Sequence, residues 1–180
     1  MGFLKDVLFL LYSGLAVISD LRAQRIPNWL NFSATGAGLL LNGWNGFPSF
    51  LDGLYGFALG IGIFILPFIL GWLGAGDVKL MGALGAILGS AFIPRIAFYS
   101  VLAGGLLALF ALVQKRVRLR TFTSAWLDFK LLLMTKGTVL PEAVGQRSRK
   151  GSHTIPYGVA IVLGALVAVY YDPDGHWAGF

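Results

Sequence analysis

The sequence predicts an all-α, polytopic integral membrane protein of about six transmembrane helices. Three observations carry that reading. Hydrophobic residues make up 57% of the 180-residue chain and charged residues only 12%, against roughly a quarter charged in an ordinary soluble domain. Glycine occurs 25 times, a frequency suited to helices that pack closely within a bilayer. The apolar residues also fall into separate stretches, at about 3–19, 28–44, 50–73, 78–94, 96–114 and 155–171. A straight span needs roughly 17–25 residues.

Residues 3–19 form the first stretch. Lys5 beside Asp6 gives only a weak basic start, and no small-x-small cleavage site precedes Asp20, so this segment is expected to be retained as a helix and not removed as a signal peptide. Most of the stretches fit the length of a span, several at its short end, and the second, 28–44, and the fourth, 78–94, are the weakest candidates for spans. Between the second and third lies a short loop, Asn42–Ser49. Pro94 and Arg95 are expected to divide 78–114 into a tight hairpin, because proline cannot continue a helix interior.

Placement of charge orients the set. With the N-terminus outside, the inner segments 20–27, 74–79 and 115–154 hold 12 of the 14 basic residues. Lys5 and Arg95 remain outside, with Asp6, Asp52, Asp172 and Asp174. The positive-inside bias therefore predicts an N-out, C-out topology. The whole chain, 1–180, reads as one membrane-embedded domain. Its sizeable non-membrane part, 115–154, carries basic runs around Phe122, Trp126, Phe129 and residues 131–134, as expected of a segment lying on anionic lipid. A loop that only fixes topology accounts for the same composition.

Two acids stand apart from the rest. Asp20 follows the first stretch, and Asp77, in Gly74-Ala75-Gly76-Asp77-Val78-Lys79, precedes the fourth. Two complete spans separate them, so parity puts both at the same membrane face whichever way the chain points. Carboxylates that meet where water is scarce cannot both ionise cheaply, and the pair shares a proton. One can then activate water while the other protonates a carbonyl, which is the chemistry of peptide hydrolysis without metal. Gly74 and Gly76 leave room for a substrate backbone. Asp77 is placed to cap a helix starting at Val78, which favours its anion. Asp20, near a helix C-terminus, has the opposite bias and is assigned as the more readily protonated member. Simpler roles exist for each: Asp77 as a helix cap, and Asp20 as a loop acid paired with Arg22 or Arg25.

These residues resemble a known family. Gly74-Ala75-Gly76-Asp77 is similar to the GxGD signature of the type IV prepilin peptidases. Ser19-Asp20-Leu21-Arg22 with Ile26-Pro27-Asn28 resembles that family's first aspartate region, and Ile155-Pro156-Tyr157-Gly158-Val159-Ala160 resembles a stretch near its last span. The small size and short opening loop look most like the TadV/CpaA branch, which serves Flp-type or tight-adherence pili. The resemblance implies that Asp20 and Asp77 are catalytic and face the cytoplasm from a bacterial inner membrane. It implies a prepilin or pseudopilin substrate, with a basic leader ahead of a hydrophobic helix, cut after glycine. Larger relatives carry a cytoplasmic zinc-binding domain and N-methylate the product. With no cysteine and only 20–27 between the first spans, this chain is expected to lack methylation, cofactor and metal. Nucleic acid is not an expected partner.

Around the acids, Lys79 could tune Asp77 or anchor its helix at the headgroups. Asn28 could position a substrate carbonyl or start the second helix, and Asn31 and Tyr157 are further polar candidates. Pro156 and Gly158 are expected to open a helix near the site. His153 lacks a second histidine nearby, and His176 falls in the opposite tail. Two other functions compete with peptidase: a small proton- or cation-coupled transporter using Asp20 and Asp77, and an assembly factor that only packs against pilus machinery.

Overall fold

A computed structural model describes residues 2–70, 72–113 and 157–172. Six helices run through them: α1 (Phe3–Ala23), α2 (Asn28–Trp44), α3 (Phe47–Ile69), α4 (Ala75–Leu88), α5 (Phe92–Val113) and α6 (Tyr157–Tyr170). Each apolar stretch thus yields one helix, and the chain is all-α as expected. Segment 115–154, Pro156, both histidines and Asp174 lie outside the described residues.

The expected set of six clear spans is corrected. By length and composition, two segments among the described residues are able to cross a membrane, Phe47–Ile69 and Phe92–Phe110, and α6 is a shorter apolar helix. Most of each of the two longer segments lies on the surface, unlike the core helix of a soluble protein. The other helices miss for separate reasons. α1 is long enough but carries Lys5, Asp6, Asp20 and Arg22. α2 includes four asparagine, serine or threonine positions within its first eight residues, Asn28, Asn31, Ser33 and Thr35. α4 has 14 residues, about 21 Å at 1.5 Å per residue, well short of the ~30 Å hydrocarbon.

α4 is short because it forms the centre. Every residue from Leu80 to Leu88 is buried, and α4 touches all five other helices. Its Leu80, Met81, Leu84 and Ile87 are among the largest fully buried side chains. α3 runs antiparallel along it on a seam of glycines. A Cβ at Gly60 would stand 2.6 Å from the Met81 carbonyl oxygen, and Gly56 and Gly85 meet backbone to backbone. No larger residue permits that approach, which maximises dispersion contact along the seam. α5 and α6 pair antiparallel on the other side, with Gly164 against Ser100 and Gly104 against the Tyr157 ring.

Two loop boundaries differ from expectation. The break in 78–114 falls at Gly89, which takes φ +95°, and not at Pro94 and Arg95. Pro94 sits inside the first turn of α5, where its missing N–H would have had no helical partner anyway. Asp52 on α3 fastens this turn, accepting the Ser90 N–H at 3.1 Å. The loop expected at Asn42–Ser49 contracts to Asn45 and Gly46, because Asn42 is a buried part of α2. Its amide donates to the Ala86 carbonyl at 2.7 Å, and its oxygen accepts from Lys5. These contacts bind the start of α1 to the ends of α2 and α4. Tyr99 donates to Asp172 at 2.7 Å, joining the start of α5 to the end of α6. The opposite end of the bundle is where α1 finishes and α4 and α6 begin.

Candidate active site

At that end, three chain segments distant in sequence converge. Asp20 projects from the last turn of α1, on the buried face it shares with Phe9, Tyr12, Ser13 and Ala16. α1 stops at Gln24, which adopts a left-handed conformation (φ 49°, ψ 33°) and donates its N–H back to the Asp20 carbonyl. The Ser19 hydroxyl donates to the Arg25 carbonyl at 2.9 Å, folding the link tightly under α1. That link brings Ile26 against Gly76, where a Cβ would lie 3.5 Å from the Ile26 nitrogen. The α1–α2 link thus packs on the first turn of α4 at Gly76, at ordinary contact distance.

Asp77 is not the cap of a helix starting at Val78. α4 begins two residues before Asp77, at Ala75, with Gly74 in the cap position. From the first turn the carboxylate reaches back and accepts the Gly74 N–H at 2.9 Å. This satisfies one of the four donors that a helix start leaves unpaired. Gly74 has no side chain to accept from the N–H groups inside the first turn; Asp77 makes the reciprocal half of a capping box, on the Gly74 N–H alone.

Asp20 is 6% exposed. Burial raises its pKa above the ordinary carboxylate value, while the backbone N–H groups of Val159 and Gly158 oppose the rise. The Val159 N–H donates to Oδ2 at 3.3 Å. Burial likewise raises Asp77; the Gly74 N–H opposes it, and the charge of Asp20 adds to it. The two carboxyls are therefore within electrostatic range of one another, and Tyr157 is in range of Asp77. Asp20 and Asp77, placed on one face by parity alone, meet at one end of the fold.

The supporting residues divide. Lys79 donates to Asn28 Oδ1 at 2.8 Å and lies 5.7 Å from the centre of the Phe32 ring, so it ties α4 to α2. Asn28 is the first residue of α2, and its side chain is engaged by Lys79. Tyr157 opens α6, as expected near Pro156. Gly158 packs directly on the first aspartate, where a Cβ would stand 2.7 Å from Asp20 Oδ2. Asn31 lies away from the dyad residues in the buried α1–α2 interface, accepting from the Tyr12 hydroxyl at 2.7 Å. Sequence reasoning passed over Val159, which acts through its backbone N–H and leaves no side-chain signature. The signal available was its place one residue after Gly158. Among the described residues no group of three histidine or acidic side chains gathers.

An apolar helical bundle, six helices among the described residues, with a buried and a half-buried carboxyl in electrostatic range at one end defines a class: helical, membrane-associated proteins built around a paired-acid site. Comparison with protein families makes the identification. The model described as the type IV leader peptidase family matches residues 7–109, from α1 through most of α5 and including both aspartates. The chain belongs to that family, whose general activity is that of a leader peptidase. Comparisons with curated proteins and with solved structures found no match.

Proposed function

We propose that the chain is an intramembrane aspartic endopeptidase that removes the basic leader of prepilin-like precursors, with Asp20 and Asp77 as its catalytic pair. The observation that carries this reading is the convergence of Asp20 from α1, buried, and Asp77 from α4, half-buried, within electrostatic range of one another in a chain of the leader peptidase family. Cleavage after glycine, at the cytoplasmic face of a bacterial inner membrane, completes the reading. The positive-inside charge bias supports N-out, C-out with six membrane-embedded helices. α4 is then shielded by its neighbours and need not cross the bilayer alone. Similarity to the TadV/CpaA branch supports an Flp-type pilin substrate, and the basic segment 115–154 is assigned to anionic lipid. The absence of cysteine supports a peptidase that does not methylate its product.

The pair performs hydrolysis in the manner of two carboxyls sharing one proton. The ionised carboxylate takes a proton from water as its oxygen bonds to the scissile carbonyl carbon. The protonated partner delivers its proton to the carbonyl oxygen, giving a gem-diol. Collapse returns a diol proton to the second carboxylate and breaks the C–N bond. The first acid then protonates the departing amine, and the pair is restored. Gly74, exposed, presents little bulk beside Asp77, which suits the approach of an extended substrate backbone.

The test is cleavage of a synthetic precursor by purified protein in proteoliposomes without added metal. Asp20→Asn and Asp77→Asn each abolish product while the protein stays folded. Near wild-type cleavage by either variant refutes the pair mechanism. Ion flux that both substitutions impair, without peptide product, would instead assign the acids to transport.

A further inference from the structure

The two acids are held in different ways, and the difference assigns their roles. Asp77 receives one backbone N–H, from Gly74 within its own helical turn. Asp20 is met from outside by the start of another helix: the Val159 N–H points at Oδ2, and Gly158 adds a second backbone donor. Helix starts carry unpaired N–H groups and a positive dipole end, and both favour an anion. Solvent cannot be what supports charge on Asp20, which is the less exposed of the two acids.

We propose that the first turn of α6, through Gly158 and Val159, holds Asp20 as the ionised member of the pair, so that Asp77 keeps the shared proton, and that Gly158 is a positioning residue for this arrangement. This rests on the peptidase reading for its catalytic meaning. Asp20 is then the base that activates water, and Asp77 the acid that protonates the carbonyl. The assignment reverses the one suggested by the C-terminal position of Asp20 in α1, because that position takes no account of α6. Once Asp20 is charged, its field disfavours a second anion at Asp77. Other charged or titratable groups near the site do not supply the asymmetry. Arg22 on α1 and Arg25 on the link are both exposed. On α4, Lys79 donates to the neutral Asn28 and keeps its charge, but neither it nor either arginine is among the causes that shift the two acids; on α6 Tyr157 is in range of Asp77.

Gly158 makes the arrangement possible. Its missing Cβ leaves the space that the Asp20 carboxylate fills; an alanine would place carbon 2.7 Å from Oδ2 and 3.0 Å from Cγ. The carboxylate would then have to turn from the α6 donors, or α6 would have to retreat.

A hydrophobic carbodiimide tests this, since it adds only to protonated carboxyls. Wild-type protein in lipid nanodiscs is labelled across a pH series, and the adducts on Asp20 and Asp77 are mapped by mass spectrometry. The quantity read is the pH at which each adduct is half lost, which does not depend on how easily reagent reaches each residue. We expect Asp77 to keep its label to a pH at least about one unit above Asp20, equivalent to tenfold in protonation. Coincident midpoints, or a higher one for Asp20, overturn the assignment. Gly158→Ala should raise the Asp20 midpoint, lower kcat with KM little changed, and move the acid limb of the rate–pH profile upward. Gly62→Ala, at a position with nothing within 4 Å of its virtual Cβ, should leave both midpoints in place. If Gly158→Ala leaves them in place too, Gly158 has no positioning role. Labelling needs no turnover, so it separates this assignment from the peptidase reading: an inactive protein with split midpoints refutes only the latter.

Discussion

Replacing Gly60 by alanine should loosen the centre of the protein and disturb the site from a distance. The new Cβ would stand 2.6 Å from the Met81 oxygen and 2.8 Å from the Met81 carbon, where ordinary contact begins at 3.4 Å. Both obstacles are backbone atoms of α4, so no side chain can swing aside. The α3–α4 seam must open by about 0.8 Å, and a gap of ~0.5–1 Å forfeits a quarter to a half of the dispersion energy of the atoms facing it. Overpacking of this kind costs about 1–3 kcal/mol, and rigid backbone on both sides places Gly60→Ala near the top of that range. For a chain of this length that is a fall of about 5–10 °C in melting temperature. The assay is thermal unfolding in detergent or nanodiscs followed by tryptophan fluorescence, with Gly62→Ala alongside. Gly62 has nothing within 4 Å of its virtual Cβ, so that variant should melt at or slightly above wild type, as helix propensity favours alanine. Because α4 carries Asp77, cleavage by Gly60→Ala should fall as well. If Gly60→Ala and Gly62→Ala melt alike, the seam is not the close backbone contact described.

Asn42→Leu removes the donor to the Ala86 carbonyl and the acceptor for Lys5, and should cost about 1–3 kcal/mol for buried groups left unpaired, read in the same melts. Lys79→Met loses a partly exposed bond to Asn28 and should cost less than about 1 kcal/mol, with cleavage largely retained. A collapse of activity in that variant would instead place Lys79 in the chemistry. Asp77→Asn should abolish cleavage yet stabilise the fold at neutral pH. The reason is that burial raises the Asp77 pKa in the folded state above its ordinary 3.8. A carboxyl of this kind supports folding fully below its unfolded pKa, and loses that support as pH rises through the folded value. The melting advantage of the asparagine should therefore vanish in acid below about pH 3.8 and grow toward neutrality; an advantage that is largest in acid refutes the sign.

Much of this architecture is written in the sequence because apolar runs and their interruptions reflect local physics. All six helices fall on the six apolar stretches, and Asp20 and Asp77 stand out as acids at the margins of such runs. Glycine frequency signals close helix packing, but not that Gly56 meets Gly85, since the pairing partner is a tertiary property. Pro94 misplaces the α4–α5 break because a proline in a first turn costs nothing there, while Gly89 supplies the turn conformation. Asn42 looks like a loop residue until its amide is seen to tie the end of α4. The hold of α6 on Asp20 escapes a linear reading altogether, because it runs through backbone N–H groups that every residue except proline possesses.

That hold spans 139 positions of chain, and it sets an order of events for a protein made from its N-terminus. Both aspartates emerge well before α6, on α1 and α4. The backbone donors that meet Asp20 arrive only with α6. A nascent chain that has not reached Tyr157 therefore possesses both acids without the α6 contact to Asp20, and the arrival of α6 is the assembly step that adds it.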